Sequence, residues 1–592
     1  MVYKMNKSKS IHTLNNLNWV IKKICNFKSS YLILSSFKTL LEGIYPPISL
    51  LFMQKVINSI QIENDFKSVS RVIIIWVLLD ILYSISINFL TLKLQILSRE
   101  FSLKISTDIL EKVSTFELTD FEDSYTYDLI DRAKNQGGES LVLYFEAHLH
   151  VITKIISIIS YLYIIATFKI WLVLILFIVP LLKYFITNKF NKIRYNVLMD
   201  RTHDQRKIWY ISHILTMGEY FKEIKLFGLS EYLINRYKRY GNDFNKVDSN
   251  IDKSVTVYQV LLSILDVITN GFLFLYYAYL GAIGSILVGD VILYINSITS
   301  AKSFVSDILL SISSIINDSL FIDNIIKLDK VKKSNYNNEI IISNIESIEI
   351  KNLYFKYPNS KKYSIKNFNL KFNKGDDIVI IGKNGSGKTT LIKLLLGFYR
   401  DYEGQILING IDLKQIDISY YQKRISAIFQ DFCKYEGSIK ENVAFGNINL
   451  LNDEVLINCT LNEFDFNKSF IELEKGIDTT VGNWFDDGVG LSTGQWQLLA
   501  LSRAFFRNAD MYVLDEPNAS LDVLSEELLF DKLSGKLAGK FSIIISHDIK
   551  RLYKKADRII IIEDGEKIAD GCHEELINSN KFYNDMFRLV ES

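Results

Sequence analysis

Two stretches decide what kind of chain this is. Val72–Leu90 reads VIIIWVLLDILYSISINFL with Asp80 as its single charge, and Val267–Val288 runs for 22 residues with no charge at all. A helix of roughly 20 mostly apolar residues crosses a hydrocarbon core. Burying both stretches in a soluble domain would demand an unusually large all-helical core. The chain is therefore expected to cross a membrane. Bulk composition hides this: 48% of the residues are hydrophobic, as in a soluble protein, because the apolar runs are concentrated before residue 320.

Four further stretches complete the set. Ile155–Phe168 is charge-free, and after Lys169 the run IWLVLILFIVPLL continues to Leu182, which fits two helices joined by a tight turn at Thr167–Lys169. Tyr31–Gln54 is interrupted by Lys38 and Glu42, and Val291–Leu310 by Lys302 and Asp307. The expectation is six spans within residues 31–328. Residues 1–30 hold six lysines and no acid, and no small-residue cleavage site follows, so a cleavable signal is not expected. The positive-inside bias keeps this basic N-terminus in the cytoplasm. The segments 55–70, 167–169 and 284–290 then become short external turns. The polar stretches 92–150 and 187–255 become membrane helices extended far into the cytoplasm and returning.

Charges within these runs cost at least ~2.5 kcal/mol in lipid by insertion scales. Asp80 and Asp266 are therefore read as facing a water-filled cavity, with a position near enough to the interface to snorkel as the alternative. Lys38 and Glu42, four apart, can pair on one helix face. The 68 basic and 67 acidic residues balance to a net charge of +1, which gives no basis for nucleic-acid binding. Cys25, Cys433, Cys459 and Cys572 are too far apart to read as a zinc site or disulfide framework. His148 and His150 read as a packed pair.

A polar linker, residues 329–345, separates this half from the next. From residue 346 to 592 short β-branched runs (SIEIKNLYF, DIVIIG, QILING, MYVLDE, FSIIISH, RIIIIEDG) alternate with helical segments, the pattern of a soluble α/β domain. The first strand–loop–helix contains the chemistry. DIVIIG runs into Gly382, Lys383, Asn384, Gly385, Ser386, Gly387, Lys388, Thr389 and Thr390, which is G-x-x-x-x-G-K-T ahead of a helix. Glycines let backbone N–H groups surround phosphate oxygens, and the helix N-terminus adds its dipole. Lys388 is expected to reach the β- and γ-phosphates and Thr389 to ligate Mg²⁺. MYVLDE supplies an apolar strand ending in two carboxylates: Asp515 for the Mg²⁺ shell, through water, and Glu516 to orient or deprotonate the attacking water.

Between the two motifs lies Leu491-Ser492-Thr493-Gly494-Gln495, and here the chain resembles the ABC transporter ATPases. The family pattern LSGGQ is broken at Thr493. The rest of its order is present: Tyr357 before Pro358, Gln430 after SAIF, Ser520-Leu521-Asp522 after the acids, and His547 after SIII. The resemblance implies ATP and Mg²⁺ as cofactors and Tyr357 as the adenine-stacking aromatic. It implies Gln430 in the metal shell, Asp522 at the nucleotide, and Glu516, His547 and Lys388 in hydrolysis. It further implies a head-to-tail homodimer in which Ser492, Gly494 and Gln495 of one copy face the phosphate loop of the other.

The six-span half resembles the ABC exporter membrane domain, so the implied fold is a membrane all-α six-helix exporter domain followed by an α/β P-loop ATPase domain. Intact Glu516 and His547 speak against a nucleotide-gated channel or regulator. Four segments, 118–133, 223–237, 428–446 and 481–506, resemble bacterial exporters of lantibiotics and related modified peptides. That resemblance implies a peptide cargo, with a multidrug or lipid exporter or flippase as the alternative, and a peptide-modifying enzyme as a candidate partner. The expected location is the bacterial cytoplasmic membrane, with the N-terminus and ATPase domain inside. No peptidase is expected ahead of the first span. Trp484 and Phe485, just before the signature, are read either as core or as a contact for the cytoplasmic ends of the membrane helices.

Overall fold

The computed structural model of the chain describes residues 2–589 except 63–65, 168–171, 332–339, 359, 465–474, 519–525, 527–528, 530–531, 534, 547–552 and 554–555. Two compact units emerge: Met1–Thr115 with Ser124–Val331, and Phe116–Asp123 with Lys332–Ser592.

The first unit is built from helices α1 (Val2–Phe27), α2 (Ser29–Ile62) and α3 (Phe66–Val113). The short α4 (Leu118–Glu122) belongs to the second unit. The first then resumes with α5 (Ser124–Ala166), α6 (Leu172–Asp200), α7 (Thr202–Thr216), α8 (Gly218–Leu226), α9 (Ser230–Ala282) and α10 (Val288–Lys330). Among the described residues, α3, the Gly137–Ala166 part of α5, α9 and α10 are long and apolar enough to cross a membrane. None of the apolar window of α3 is buried; Ile74, Leu78, Leu82, Ile85 and Phe89 are all more than half exposed. Water does not tolerate such a stripe, and lipid does. The stretch 31–54 lies inside α2 and 172–182 opens α6. Of the turn expected at 167–169, only Thr167 is among the described residues.

Helix α2 runs through Pro46 and Pro47. Proline has no N–H, so Pro47 leaves the Gly43 carbonyl, four residues back, without its helical donor. Ser157 of α5, fully buried, donates its hydroxyl to that carbonyl at 2.8 Å. Gly43 permits the approach: a Cβ there would stand 2.8 Å from Ile156 Cγ2. At the other end of α2, Gln54 and Asn58 donate to Asp290 at 2.6 and 2.8 Å, pinning α2 to the start of α10.

Lys38, Glu42, Asp80 and Asp266, charges inside the apolar helices, have partners. Lys38 and Glu42 pair at 3.5 Å, and the Tyr45 hydroxyl donates to Asp80. Asp266 forms an ion pair at 2.6 Å with Lys302 of α10, whose ammonium also donates to Thr269 Oγ1 at 3.1 Å and Asn270 Oδ1 at 2.8 Å. The basic N-terminus is itself a packed helix. Val20 and Ile24 are fully buried, and the Asn16 amide donates to the Ser319 carbonyl (3.1 Å), its hydroxyl (2.9 Å) and Asp323 (2.8 Å).

The second unit holds two main sheets. Strands β1 (Ser347–Phe355), β2 (Ile365–Asn373), β4 (Glu403–Ile408) and β5 (Ile411–Asp412) form an antiparallel sheet in the order β2-β1-β4-β5. Strands β3 (Asp377–Ile381), β6 (Ile425–Ile428), β9 (Met511–Asp515), β10 (Phe541–Ile545), β11 (Arg558–Glu563) and β12 (Glu566–Gly571) form the other, in the order β12-β11-β3-β10-β9-β6. All pairings in that second sheet are parallel except β11 with β12. Parallel strands covered on both faces read as unbroken apolar runs, which is why IVII, YVLD and SIII lack the alternation of β2. Strands β7 (Gly437–Ser438) and β8 (Thr480–Val481) form a small antiparallel pair.

Candidate nucleotide site

Strand β10 pairs with both β3 and β9, so Ile545 lies opposite Ile380 on one side and Asp515 on the other. The two motifs, more than a hundred residues apart in sequence, thus end at the same carboxyl edge of the sheet, where open α/β folds bind ligands. The loop after β3 turns on three glycines with positive φ: Gly382 (155°), Gly385 (78°) and Gly387 (108°). A Cβ at Gly382 would lie 2.2 Å from the Ile562 carbonyl, and one at Gly387 2.8 Å from the Ser364 carbonyl. The loop is therefore pressed against its surroundings at both ends, while Asn384 and Gly385 at its tip are exposed.

Helix α11 (Lys388–Leu395) starts at this loop. Lys388 is buried, and its ammonium donates to the loop carbonyls of Gly382 (2.7 Å) and Lys383 (3.0 Å). Burial pushes the pKa of Lys388 down, opposed by the negative charges of Glu516 and Asp515. Among the described residues, the buried Ser386 hydroxyl has no hydrogen-bond partner. Thr389 donates to Asp515 at 3.3 Å. Burial raises the pKa of Asp515, the Thr389 hydrogen bond lowers it, and neighbouring Glu516 raises it again. Gln430, after β6, donates its amide to Glu516 at 2.8 Å.

Tyr357 stands beside the loop, its hydroxyl 3.0 Å from that of Thr390 and its ring edge-on to Phe355 and Tyr399, with centroids 5.2 and 5.5 Å away. The signature segment caps its own helix, Thr493–Phe506. Ser492 Oγ accepts from the Gln495 N–H at 3.2 Å, and the Gln495 side chain accepts from the Ser492 N–H at 2.8 Å. Thr493 takes the first helical position, where its substituent is accommodated. Among the described residues, no hydrogen bond joins Ser492 or Gln495 to the loop 382–390.

The structure thus brings together Tyr357, Gly382–Thr390, Gln430, Asp515 and Glu516. Asp522 and His547 lie outside the described residues. Motif reasoning does not single out Gln497, whose side chain donates to the Pro517 carbonyl at 2.5 Å and so ties the signature helix to the backbone just after Glu516.

A family profile for the ABC transporter matches residues 365–519. Over 561 residues, 93% of this chain and 90% of its relative, the sequence is 34% identical to the subtilin transport ATP-binding protein SpaT of Bacillus subtilis. The chain is an ABC transporter. A second relative, the nisin transport ATP-binding protein NisT of Lactococcus lactis subsp. lactis, is 30% identical over 97% of this ABC transporter and 96% of its own length. The structure of a bacterial Atm1-family ABC exporter with ATP bound matches with a TM-score of 0.77 at 17% identity, covering 95% of this chain and 98% of the other. The fold is therefore that of an ABC exporter, an apolar helical domain followed by the ATPase domain. This ABC transporter is a bacterial membrane protein that binds nucleotide and hydrolyses ATP to drive transport.

Proposed function

We propose that the chain exports a lantibiotic-like modified peptide across the bacterial cytoplasmic membrane, as a homodimer with two composite ATP sites. The observation that carries this is the end-to-end similarity to transporters named for subtilin and nisin, at 34% and 30% identity. The expected six spans, with the N-terminus and the ATPase domain in the cytoplasm, form part of the same reading.

In this reading Tyr357 stacks on the adenine, and the backbone N–H groups of Gly382–Thr390 hold the phosphates. The unpartnered Ser386 hydroxyl fits a phosphate oxygen. Lys388 exchanges its loop carbonyls for the β- and γ-phosphates. Thr389, Gln430 and Asp515 present the hard oxygens that Mg²⁺ prefers, Asp515 through water; bound there, the ion neutralises phosphate charge. Glu516 orients the attacking water; roles for His547 in hydrolysis and Asp522 in nucleotide binding rest on the family pattern alone. Ser492, Gly494 and Gln495 face the phosphates of the other copy with the positive end of their helix. A peptide-modifying enzyme is the matching cytoplasmic partner.

The test is ATPase activity in liposomes. A ring-bridged precursor peptide should stimulate it, and hydrophobic drugs or added lipids should do so much less. Stimulation by drugs or lipids with none by peptide would favour a multidrug or lipid exporter.

A further inference from the structure

Strand β11 runs parallel to β3, with Ile561 opposite Ile381. Both segments continue past that pair. β3 opens into the phosphate loop, and β11 reverses into β12 through Asp564 and Gly565, with Glu563 paired to Glu566. Asp564 and Gly565 have φ of 47° and 84°, the positive values that a two-residue hairpin turn needs to match the twist of its strands. The turn therefore lies beside the loop, and the two touch at both ends of the loop.

At the loop's entry, the Ile562 carbonyl lies where only a glycine fits at 382. Next to it Lys383 pairs with Glu563 at 3.2 Å, its ammonium also 5.6 Å from the ring of Phe582 in the C-terminal helix Lys581–Leu589. The Lys383 carbonyl accepts from the Ser386 N–H at 3.1 Å and from the Lys388 ammonium at 3.0 Å. At the loop's exit, the Gly565 N–H donates to the Ser386 carbonyl at 2.9 Å. Both residues are buried, so losing that bond leaves two polar groups unpaired. A peptide unit is planar and trans, so a Ser386 carbonyl held towards the turn aims the Gly387 N–H the opposite way. The turn is itself held from β2, whose Lys366 N–H donates to the Gly565 carbonyl at 2.8 Å.

We propose that the β11–β12 turn is a template for the phosphate loop. Gly565, acting through Ser386, sets the direction of the Gly387 N–H, and Glu563, acting through Lys383, sets the loop's entry. Both are positioning residues. The proposal rests on the reading of 382–390 as the phosphate site. A loop released from the turn binds with an affinity reduced by the fraction of time it holds the binding shape. The loss therefore falls on binding rather than on the rate of the bound state. The Lys383–Glu563 pair is the smaller contribution, because its side chains are 69% and 41% exposed.

The experiment combines steady-state ATP hydrolysis with calorimetric binding of tripolyphosphate on the full-length protein in detergent. Glu563→Ala should raise the KM for ATP by about two- to fivefold, weaken tripolyphosphate by the same factor, and change kcat less than KM. The sign discriminates, because removing a carboxylate near a polyanion would by charge alone tighten binding. Glu563→Gln, which keeps an acceptor for Lys383, should lie nearer wild type. In Gly565→Ala the new Cβ would stand 2.6 Å from the Ser364 carbonyl and push the turn off the loop, so both affinities should fall by about fivefold or more. If that variant does not fold, Glu563→Ala decides alone. Unchanged or tighter binding in Glu563→Ala, or a loss in kcat with KM unchanged, would overturn the template. Failure of wild-type protein to bind tripolyphosphate would overturn the phosphate site as well, whereas wild-type binding that the variants leave intact overturns the template alone.

Discussion

Gln430 donates its side-chain amide to the Glu516 carboxylate at 2.8 Å. Two residues 86 positions apart in sequence, just after the neighbouring strands β6 and β9, are thereby held together at the carboxyl edge of the sheet. The bond orients the carboxylate at that edge. A positioned general base contributes roughly 10²–10⁴ in rate. Glu516→Gln should lower kcat for ATP by that order while the Kd for ATP stays near the wild-type value, measured by steady-state hydrolysis and nucleotide binding on the same preparation.

Lys388 supplies the second prediction. Its ammonium satisfies two loop carbonyls until phosphate arrives, and a hydrogen bond to a charged group is worth about 1.5–3 kcal/mol. Lys388→Ala should weaken ATP binding by roughly 10- to 100-fold.

The same lysine predicts a pH dependence. Burial lowers its pKa in the free site, and a bound phosphate, being anionic, raises it. Binding therefore takes up a proton at alkaline pH, and affinity falls as pH rises through the lowered free-site pKa. Calorimetry in two buffers of different ionisation enthalpy reads this directly. Proton release on binding in that range would contradict it.

If Ser492–Gln495 acts on the other copy, the order in which lesions are combined matters. Pairing a Lys388→Ala chain with a Ser492→Arg chain leaves one intact composite site. Placing both lesions on one chain beside a wild-type partner leaves none. The first mixed dimer should keep roughly half the ATPase activity, counting one of two sites, and the second almost none. The reverse ranking would mean that each site is complete within one chain.

The Asp266–Lys302 pair gives a stability prediction. Removing one member of a fully buried ion pair costs about 3–5 kcal/mol because the other charge is left unpaired; with Lys302 buried and Asp266 32% exposed, the cost here should fall below that range. Lys302→Met should lower the unfolding midpoint in detergent, and adding Asp266→Asn should recover much of the loss. Equal midpoints for wild type and Lys302→Met would show that the pair contributes nothing.

What the sequence made legible was contiguous. The phosphate loop reads directly because its residues are neighbours and each glycine has a local reason to be there. The apolar character of α3 and α9 reads from composition alone. Pairings across elements do not read: Lys302 reads as an interruption of a span until α9 and α10 are placed side by side. The cost of a charge in lipid singles out Asp266, but its partner Lys302 lies 36 residues away in another helix and does not read. Residues 1–30 read as a basic cytoplasmic N-terminus because their lysines dominate. Yet Leu17, Val20 and Ile24 recur at helical spacing, and two of them are fully buried.

The most direct test of the account is transport itself. Everted membrane vesicles containing the chain should take up a ring-bridged lantibiotic precursor peptide when ATP is supplied, and Glu516→Gln should abolish that uptake. ATP-dependent uptake of a fluorescent drug or lipid, with no peptide transport in the same vesicles, would contradict it.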